Sequence, residues 1–158
     1  MDSKTVYEDR YYLVVSPDSP FNSREDGGHL VMYKREPVTD RSDLDWREAI
    51  DFMRISMAVG KAMYEELGVE RMNYEDLGNW GVDDPGGPKM HLHFFGRARH
   101  EIHQIRGQHI FLHPKGHPIY EGHLEPLRSE ELGRLRDRVA AILEGEQYRK
   151  LAALAEIE

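Results

Sequence analysis

Residues 89–97 read Lys-Met-His-Leu-His-Phe-Phe-Gly-Arg, and polar and apolar side chains alternate over most of this stretch. Successive side chains of a β-strand point to opposite faces of a sheet. On a strand, His91 and His93 therefore share one face, about 7 Å apart, which is two rises of about 3.4 Å. The opposite face is apolar and suits packing on a helix; it carries Met90, Leu92 and Phe94.

Two imidazoles on one strand face are compatible with three roles. They can bind a metal ion together with a third ligand from elsewhere in the chain. They can act as nucleophile and proton donor on a phosphate ester, because imidazole titrates near neutral pH. They can also be purely structural, and the spacing alone does not separate these roles.

The residues around the two histidines favour a phosphate site. Residues 79–88 form a loop rich in glycine and proline, in which Gly86 and Gly87 let the backbone approach a ligand closely. Asn79 offers a side-chain amide, and Arg97 offers a guanidinium fork that suits phosphate oxygens. We therefore predict that these four residues and the histidine face bind a phosphate group.

The rest of the chain predicts an α+β fold. Aromatic and β-branched residues at 11–15 and an apolar run at 30–33 predict two strands. Apolar residues at helical spacing predict a long helix over about 45–67, which begins with a capping box of Ser42 and Asp45 and ends at Gly68. A second helix is predicted to start near Ser129, and a short terminal helix over 147–157.

Composition excludes several classes of function. The 158 residues predict one domain spanning 1–158, and the net charge of −8 argues against binding of a nucleic acid polymer. The chain has no cysteine, which excludes disulfides and thiolate chemistry. No apolar run approaches the length of a membrane span, and the first residues show no secretory signal, so we expect a cytoplasmic protein.

The segment that contains His91 and His93 resembles the histidine triad (HIT) superfamily of nucleotide hydrolases and transferases. The signature of that family is three alternating histidines preceded by an Asn-x-Gly loop, with a further glycine shortly before the strand. The matching elements are Asn79-Trp80-Gly81, Gly86-Gly87 and His91-Leu92-His93. Upstream, Glu8-Asp9, the strand at 11–15 and residues 28–34 (Gly-His-Leu-Val-Met-Tyr-Lys) follow in the family's order, so the resemblance covers roughly residues 6–98.

The chain departs from the family pattern because only two histidines stand where three are usual. Phe95 replaces the third histidine in one register, and Lys89 replaces the first in the other. The residues that end the strand favour the second register, in which Lys89 stands in place of the first histidine. In that register, the resemblance makes His91 the nucleophile. It makes His93 the residue that binds phosphate and the leaving oxygen. Glu36 stands near the point where many members carry a histidine that orients the nucleophile; it is a possible orienting residue or a surface acid.

The resemblance implies a mainly antiparallel five-stranded sheet with the long helix packed on it and a C-terminal helix. It implies attack of a histidine on the phosphate of a small-molecule nucleotide, at a phosphoanhydride or phosphoramidate bond, without cofactor or metal. Asn79, Gly86, Gly87, Lys89 and Arg97 would bind the nucleotide phosphate. Family members often form homodimers, so a homodimer is expected. The alternative is a nucleotide-binding module that has lost catalysis.

A metal-binding protein is a further alternative, because eight of the nine histidines lie between His91 and His123. No tight ligand pattern emerges among those after His93, and a solvated loop is the other interpretation. Residues 110–112 in this region have the composition of a strand. His29 is interpreted as a partner of the backbone, and Trp80 as part of the core.

Overall fold

The computed structural model describes residues 2–157 as one antiparallel sheet covered on one face by helices. The strands are β1 (Thr5–Glu8), β2 (Tyr12–Val15), β3 (His29–Lys34), β4 (Arg71–Asp76) and β5 (His91–Arg97). Their spatial order is β1-β2-β3-β5-β4, and every neighbouring pair is antiparallel. The predicted α+β class and five-stranded antiparallel sheet are confirmed.

The helices are α1 (Trp46–Leu67), α2 (Ser129–Leu143) and α3 (Glu146–Leu154). The apolar face of α1 packs on the sheet and carries Ile55, Val59 and Met63, all fully buried. From the sheet, the alternate side chains Leu30, Met32, Leu92 and Phe94 complete this core. The alternation read from residues 89–97 therefore directs the apolar set of β5 towards α1, as predicted.

The long helix ends as predicted but is capped differently at its start. Gly68 adopts the left-handed conformation with φ 66°, which glycine tolerates best. The capping box consists of Asp45 and Glu48. The Asp45 carboxylate accepts from the Glu48 amide at 2.9 Å, and the Glu48 carboxylate accepts from the Asp45 amide at 3.1 Å. The predicted pair of Ser42 and Asp45 is wrong, because Leu44 is extended and the helix begins only after Asp45.

Three further expectations concern the C-terminal half of the chain. The second helix starts at Ser129 and the terminal helix spans Glu146–Leu154, close to the predicted positions. Residues 110–112 do not form a strand, because only Ile110 is buried and the segment pairs with no strand of the described sheet.

No helix within residues 2–157 has the length and apolar character needed to cross a membrane.

A network of buried charged groups lies between α1 and the turn from β1 to β2. The Arg54 guanidinium donates to the Asp51 carboxylate at 2.7 Å and to Asp9 at 3.2 Å. The second oxygen of Asp51 is buried without a hydrogen-bond partner in the described residues. The pKa of Asp51 is raised to about 7. Burial is the largest cause, and the negative charge of Asp9 is the second.

This shift predicts how stability changes with pH. Because the folded-state pKa of Asp51 lies above its ordinary value of 3.8, the native state holds an extra proton between about pH 4 and pH 7. The corresponding stabilisation is present below that window and is lost as pH rises through 7. One proton limits the slope to about 1.4 kcal/mol per pH unit. Urea denaturation at pH 5 and pH 8 should show Asp51→Asn gaining stability relative to the wild type as pH rises; a pH-independent difference between the two proteins would contradict this.

Candidate functional site

Strand register places three histidines together on the sheet face opposite α1. His93 of β5 is opposite Val31 of β3, and Phe95 is opposite His29. The rings of His91 and His93 lie 4.7 Å apart between centroids, and those of His29 and His93 lie 5.1 Å apart. The two histidines predicted from the sequence are therefore adjacent, and the structure adds His29 to them.

The hydrogen bonds of His29 determine which nitrogen of each ring carries hydrogen. The Phe21 amide donates to His29 Nδ1 at 3.0 Å, so in the neutral ring Nε2 carries the proton. That Nε2–H then donates to His93 Nδ1 at 2.8 Å. His93 in turn carries its own proton on Nε2, as a hydrogen-bond donor on the sheet face.

His91 has the opposite tautomer. Its Nδ1 lies 2.7 Å from the carbonyl oxygen of Lys89, which can only accept, so Nδ1 carries the hydrogen. In the neutral ring Nε2 therefore has a free lone pair. His91 is half-buried, whereas His93 is only 4% exposed. One face thus presents an accessible nucleophilic nitrogen beside an N–H donor.

Burial keeps the two inner rings neutral. It lowers the pKa of His93 to about 3, and the neighbouring charge of His91 lowers that pKa further. Burial likewise lowers the pKa of His29 well below its usual value, with smaller contributions from His93 and His91. At neutral pH, His29 and His93 are therefore uncharged, and the tautomers follow from their fixed partners.

Three loops form an aromatic cluster beside His93, which consists of Phe21, Trp80 and Tyr120. The Phe21 ring lies 5.2 Å from Trp80, 5.1 Å from Tyr120 and 5.7 Å from His93, between centroids. Trp80 remains 39% exposed and lies outside the main core, contrary to the core position expected from the sequence. Within the cluster, Phe21 packs against both His93 and His29 and so contributes to the burial of His93.

Glu75 was missed by sequence reasoning. In the pairing of β4 with β5 it is opposite His93, so its side chain lies on the histidine face. The carboxyl is half-buried and makes no hydrogen bond or ion pair to any residue in 2–157. Only the register of β4 reveals Glu75, since residues 71–76 read as a mostly polar stretch.

The predicted phosphate-binding loop is brought together only in part. Asn79 lies with Lys89 beside Arg41 and Asp76, around a surface cavity of about 470 Å³. The Lys89 ammonium donates to the Gly86 carbonyl at 2.7 Å. The Gly87 amide donates to Asp84 at 2.9 Å within a turn. Asn79 and Lys89 thus line a cavity next to the start of β5, and Gly87 has its own N–H engaged inside the loop.

Arg97 has a structural position instead of the predicted phosphate-binding one. It is buried, and its guanidinium donates to the Glu101 carboxylate at 3.0 Å and to Asn73 at 3.0 Å. It also donates to the backbone carbonyls of Gln108 at 2.8 Å and Ile105 at 3.2 Å. With Nε also bonded to Glu101, all five N–H groups are engaged, so none is free for a phosphate.

Glu36 does not orient either histidine of the motif. Its side chain is exposed, and within residues 2–157 the carboxylate makes no hydrogen bond or ion pair. Its backbone carbonyl accepts from Lys34 at 2.9 Å. The group that orients an imidazole here is His29, which the sequence placed next to Gly27-Gly28 without revealing its partner. The expectation that it bonds the backbone holds for Nδ1 alone.

The other histidines of the His-rich segment have separate surroundings. His103 lies 2.9 Å from the buried Asp26 carboxylate, and His113 stacks on His117 with 4.1 Å between ring centroids. His100, His109 and His123 are exposed. Within the described chain, 2–157, no three histidine, aspartate or glutamate side chains converge in a way that could hold a metal ion.

Comparison with known proteins gives a clear result for the fold. No protein-family model matches the chain, and no curated protein matches its sequence. A hypothetical histidine triad nucleotide-binding protein of Sulfolobus tokodaii superimposes with a TM-score of 0.59 at 11% identity, over 90% of this chain and 87% of that one.

Two further solved structures are similar. A histidine triad protein of Marinobacter aquaeolei gives a TM-score of 0.58 at 18% identity, over 89% of this chain and 88% of that one. A zinc-bound histidine triad family protein of Mycobacterium smegmatis gives 0.57 at 17% identity, over 87% and 84%. The chain therefore has the fold of the histidine triad proteins.

Proposed function

We propose that the protein is a HIT-type nucleotide hydrolase or nucleotidyltransferase that acts on a phosphoanhydride or phosphoramidate bond through a covalent nucleotidyl-His91. The observation that carries the proposal is the pair of opposite tautomers. His91 offers a lone pair on Nε2, and His93, 4.7 Å away between ring centroids, offers a hydrogen on Nε2. Covalent phosphoryl transfer uses a nucleophile together with a donor that stabilises charge on the phosphoryl oxygens or the leaving atom.

In the first step, His91 Nε2 attacks phosphorus, and the bond from phosphorus to the leaving atom breaks. The leaving atom keeps the electron pair, and His91 becomes a phosphorylated imidazolium whose Nδ1–H remains bonded to the Lys89 carbonyl. His93 Nε2–H donates to a phosphoryl oxygen or to the leaving atom. In the second step, water or another acceptor attacks phosphorus and His91 is released.

His93 acts as a hydrogen-bond donor and keeps its proton. Its Nδ1 already accepts from His29, so loss of the Nε2 proton would leave a buried imidazolate. Such a charge is costly at a site that is almost fully enclosed. His29 is therefore a positioning residue, which holds His93 in the tautomer that donates.

Nucleotide binding is tested by thermal denaturation with AMP, with adenosine as the control ligand. A ligand that binds only the folded state raises the midpoint by mass action. We expect AMP at about 100 times its Kd to stabilise the protein by about 2.7 kcal/mol. Adenosine lacks the phosphate and should give a clearly smaller shift.

The outcomes of this titration separate the alternatives. An equal shift with AMP and adenosine, or no shift at millimolar AMP, would contradict a phosphate site at the histidine face. A shift with AMP but no turnover of adenosine 5′-phosphoramidate would favour a nucleotide-binding module without catalysis. Turnover together with a nucleotidyl-enzyme supports the enzymatic proposal.

A further inference from the structure

We infer that Glu75 is the acid–base residue of the reaction, which protonates the leaving group in the first step and deprotonates water in the second. The inference rests on the proposed function, because it concerns the proton balance of the same site. It starts from the register of β4, which places Glu75 directly opposite His93 on the histidine face.

The geometry allows Glu75 to reach both reacting positions. Side chains directly opposite each other on antiparallel strands have Cβ atoms about 5 Å apart, and diagonal neighbours lie at about 7–8 Å between Cα atoms. Glu75 is directly opposite His93. His91 lies two residues before His93 on the same face of β5, so Glu75 and His91 are diagonal neighbours. Its flexible side chain can therefore extend over the space between the two imidazoles, where the phosphoryl group would lie.

The carboxyl of Glu75 has no structural partner that would keep it from this task. It is half-buried, yet within residues 2–157 it makes neither a hydrogen bond nor an ion pair. Asp76, the next residue on the strand, points to the other face and pairs with Arg41 at 3.3 Å. Burial raises the pKa of Glu75 above its usual value, and the charge of His109 partly offsets this effect.

The proton balance of the reaction requires such a group. Neither His93 nor His29 can release a proton without forming a buried imidazolate, and the Nδ1 proton of His91 is bonded to the Lys89 carbonyl. An amine or alkoxide leaving atom nevertheless has to gain a proton when its bond to phosphorus breaks. Glu75 is an unpartnered carboxyl on the histidine face, and burial raises its pKa above the usual value.

The cycle closes over the two steps. In the first, the bond between His91 nitrogen and phosphorus forms, the bond from phosphorus to the leaving atom breaks, and Glu75 gives its proton to the leaving atom. In the second, the oxygen of water bonds to phosphorus, the bond to His91 breaks, and the Glu75 carboxylate takes a proton from that water. The protein returns to its starting state, and one water is consumed.

The experiment compares Glu75→Gln with Glu144→Gln, the same isosteric change at the exposed residue that follows α2. Adenosine 5′-(p-nitrophenyl phosphate) has a leaving group that needs no proton, whereas an adenosine 5′-phosphoramidate with an alkylamine does. Rapid quench followed by intact mass spectrometry measures formation and decay of the nucleotidyl-enzyme for each substrate.

With the aryl ester, Glu75→Gln should form the adduct at the wild-type rate and hydrolyse it on the order of 10²-fold more slowly, so the adduct accumulates. With the phosphoramidate, formation should slow by a similar factor as well. Glu144→Gln should match the wild type in all four rates. Slowing of all four rates of Glu75→Gln by one common factor would indicate a structural role and overturn the inference. Rates of Glu75→Gln equal to those of Glu144→Gln would also overturn it. Absence of any adduct in the wild type would instead contradict the proposed function.

Discussion

Replacing His91 with alanine is expected to abolish turnover of a nucleotide substrate and to remove the nucleotidyl-enzyme completely. His91 is the residue of the histidine face that presents a free Nε2 lone pair, since its Nδ1–H is bonded to the Lys89 carbonyl at 2.7 Å. Without it, the covalent route has no nucleophile. Losses on the order of 10⁴-fold or more are typical when a covalent nucleophile is removed.

The matched control is His100→Ala, which removes an exposed imidazole just beyond β5. It should retain wild-type activity. Single-turnover measurements with rapid quench give the rate, and thermal denaturation establishes that both variants fold. A His91→Ala protein that is folded and loses less than tenfold in rate would contradict the assignment of the nucleophile.

Gly96→Ala is expected to destabilise the protein by about 3 kcal/mol or more, at the upper end of the range for overpacked sites. A Cβ on Gly96 would lie 2.2 Å from the Gly27 carbonyl oxygen and 2.7 Å from a Val69 methyl group. The backbone cannot yield there, because the Gly96 amide donates to Gly28 at 3.0 Å and the Asn22 side chain donates to the Gly96 carbonyl at 2.8 Å. His29, which positions His93, directly follows Gly27 and Gly28 in the sequence, so activity should also fall.

Gly133→Ala is the control for this change. Gly133 lies inside α2, and a Cβ there would meet no atom within 4 Å. Alanine in a helix interior is favoured over glycine by up to about 1 kcal/mol, so this variant should be as stable as the wild type or more stable. Scanning calorimetry should place Gly96→Ala at least about 6 °C below Gly133→Ala in midpoint, at about 2–4 °C per kcal/mol for a chain of this size. Equal midpoints would contradict the close approach of Gly96 to Gly27.

Local patterns were sufficient to predict the elements that carry them. The alternation over residues 89–97 and the helical spacing over 45–67 are set by side chains near one another in sequence, and both elements formed. The cap of α1 shows the limit, because Ser42 with Asp45 and Asp45 with Glu48 have the same spacing. Leu44, which lies between Ser42 and Asp45, is extended, so the helix cannot begin at Ser42 and the capping box is formed by Asp45 and Glu48.

The site depended on contacts that no local pattern contains. His29 meets His93 across 64 residues of sequence, and Glu75 reaches the histidine face only through the register of β4 with β5. Arg97 had the chemistry expected of a phosphate ligand, but Asn73 of β4 and the segment that follows β5 together engage every one of its donors. His91, His93 and Arg97 could be proposed from the sequence. The roles of His29 and Glu75, and whether each donor is free or engaged, required the tertiary structure.

The assignment of roles to His91 and His93 is tested most directly by the attachment site of the nucleotide. The wild-type enzyme, quenched during turnover of adenosine 5′-(p-nitrophenyl phosphate) and digested at alkaline pH to preserve the phosphoramidate bond, should yield one nucleotidyl-peptide. We predict that fragmentation places the nucleotide on His91, whose Nε2 is free, and that His93→Ala forms the same adduct more slowly, by roughly 10²–10³-fold for loss of one donor. A nucleotide on His93 would contradict the tautomers deduced from the Phe21, His29 and Lys89 contacts, and with them the proposed mechanism.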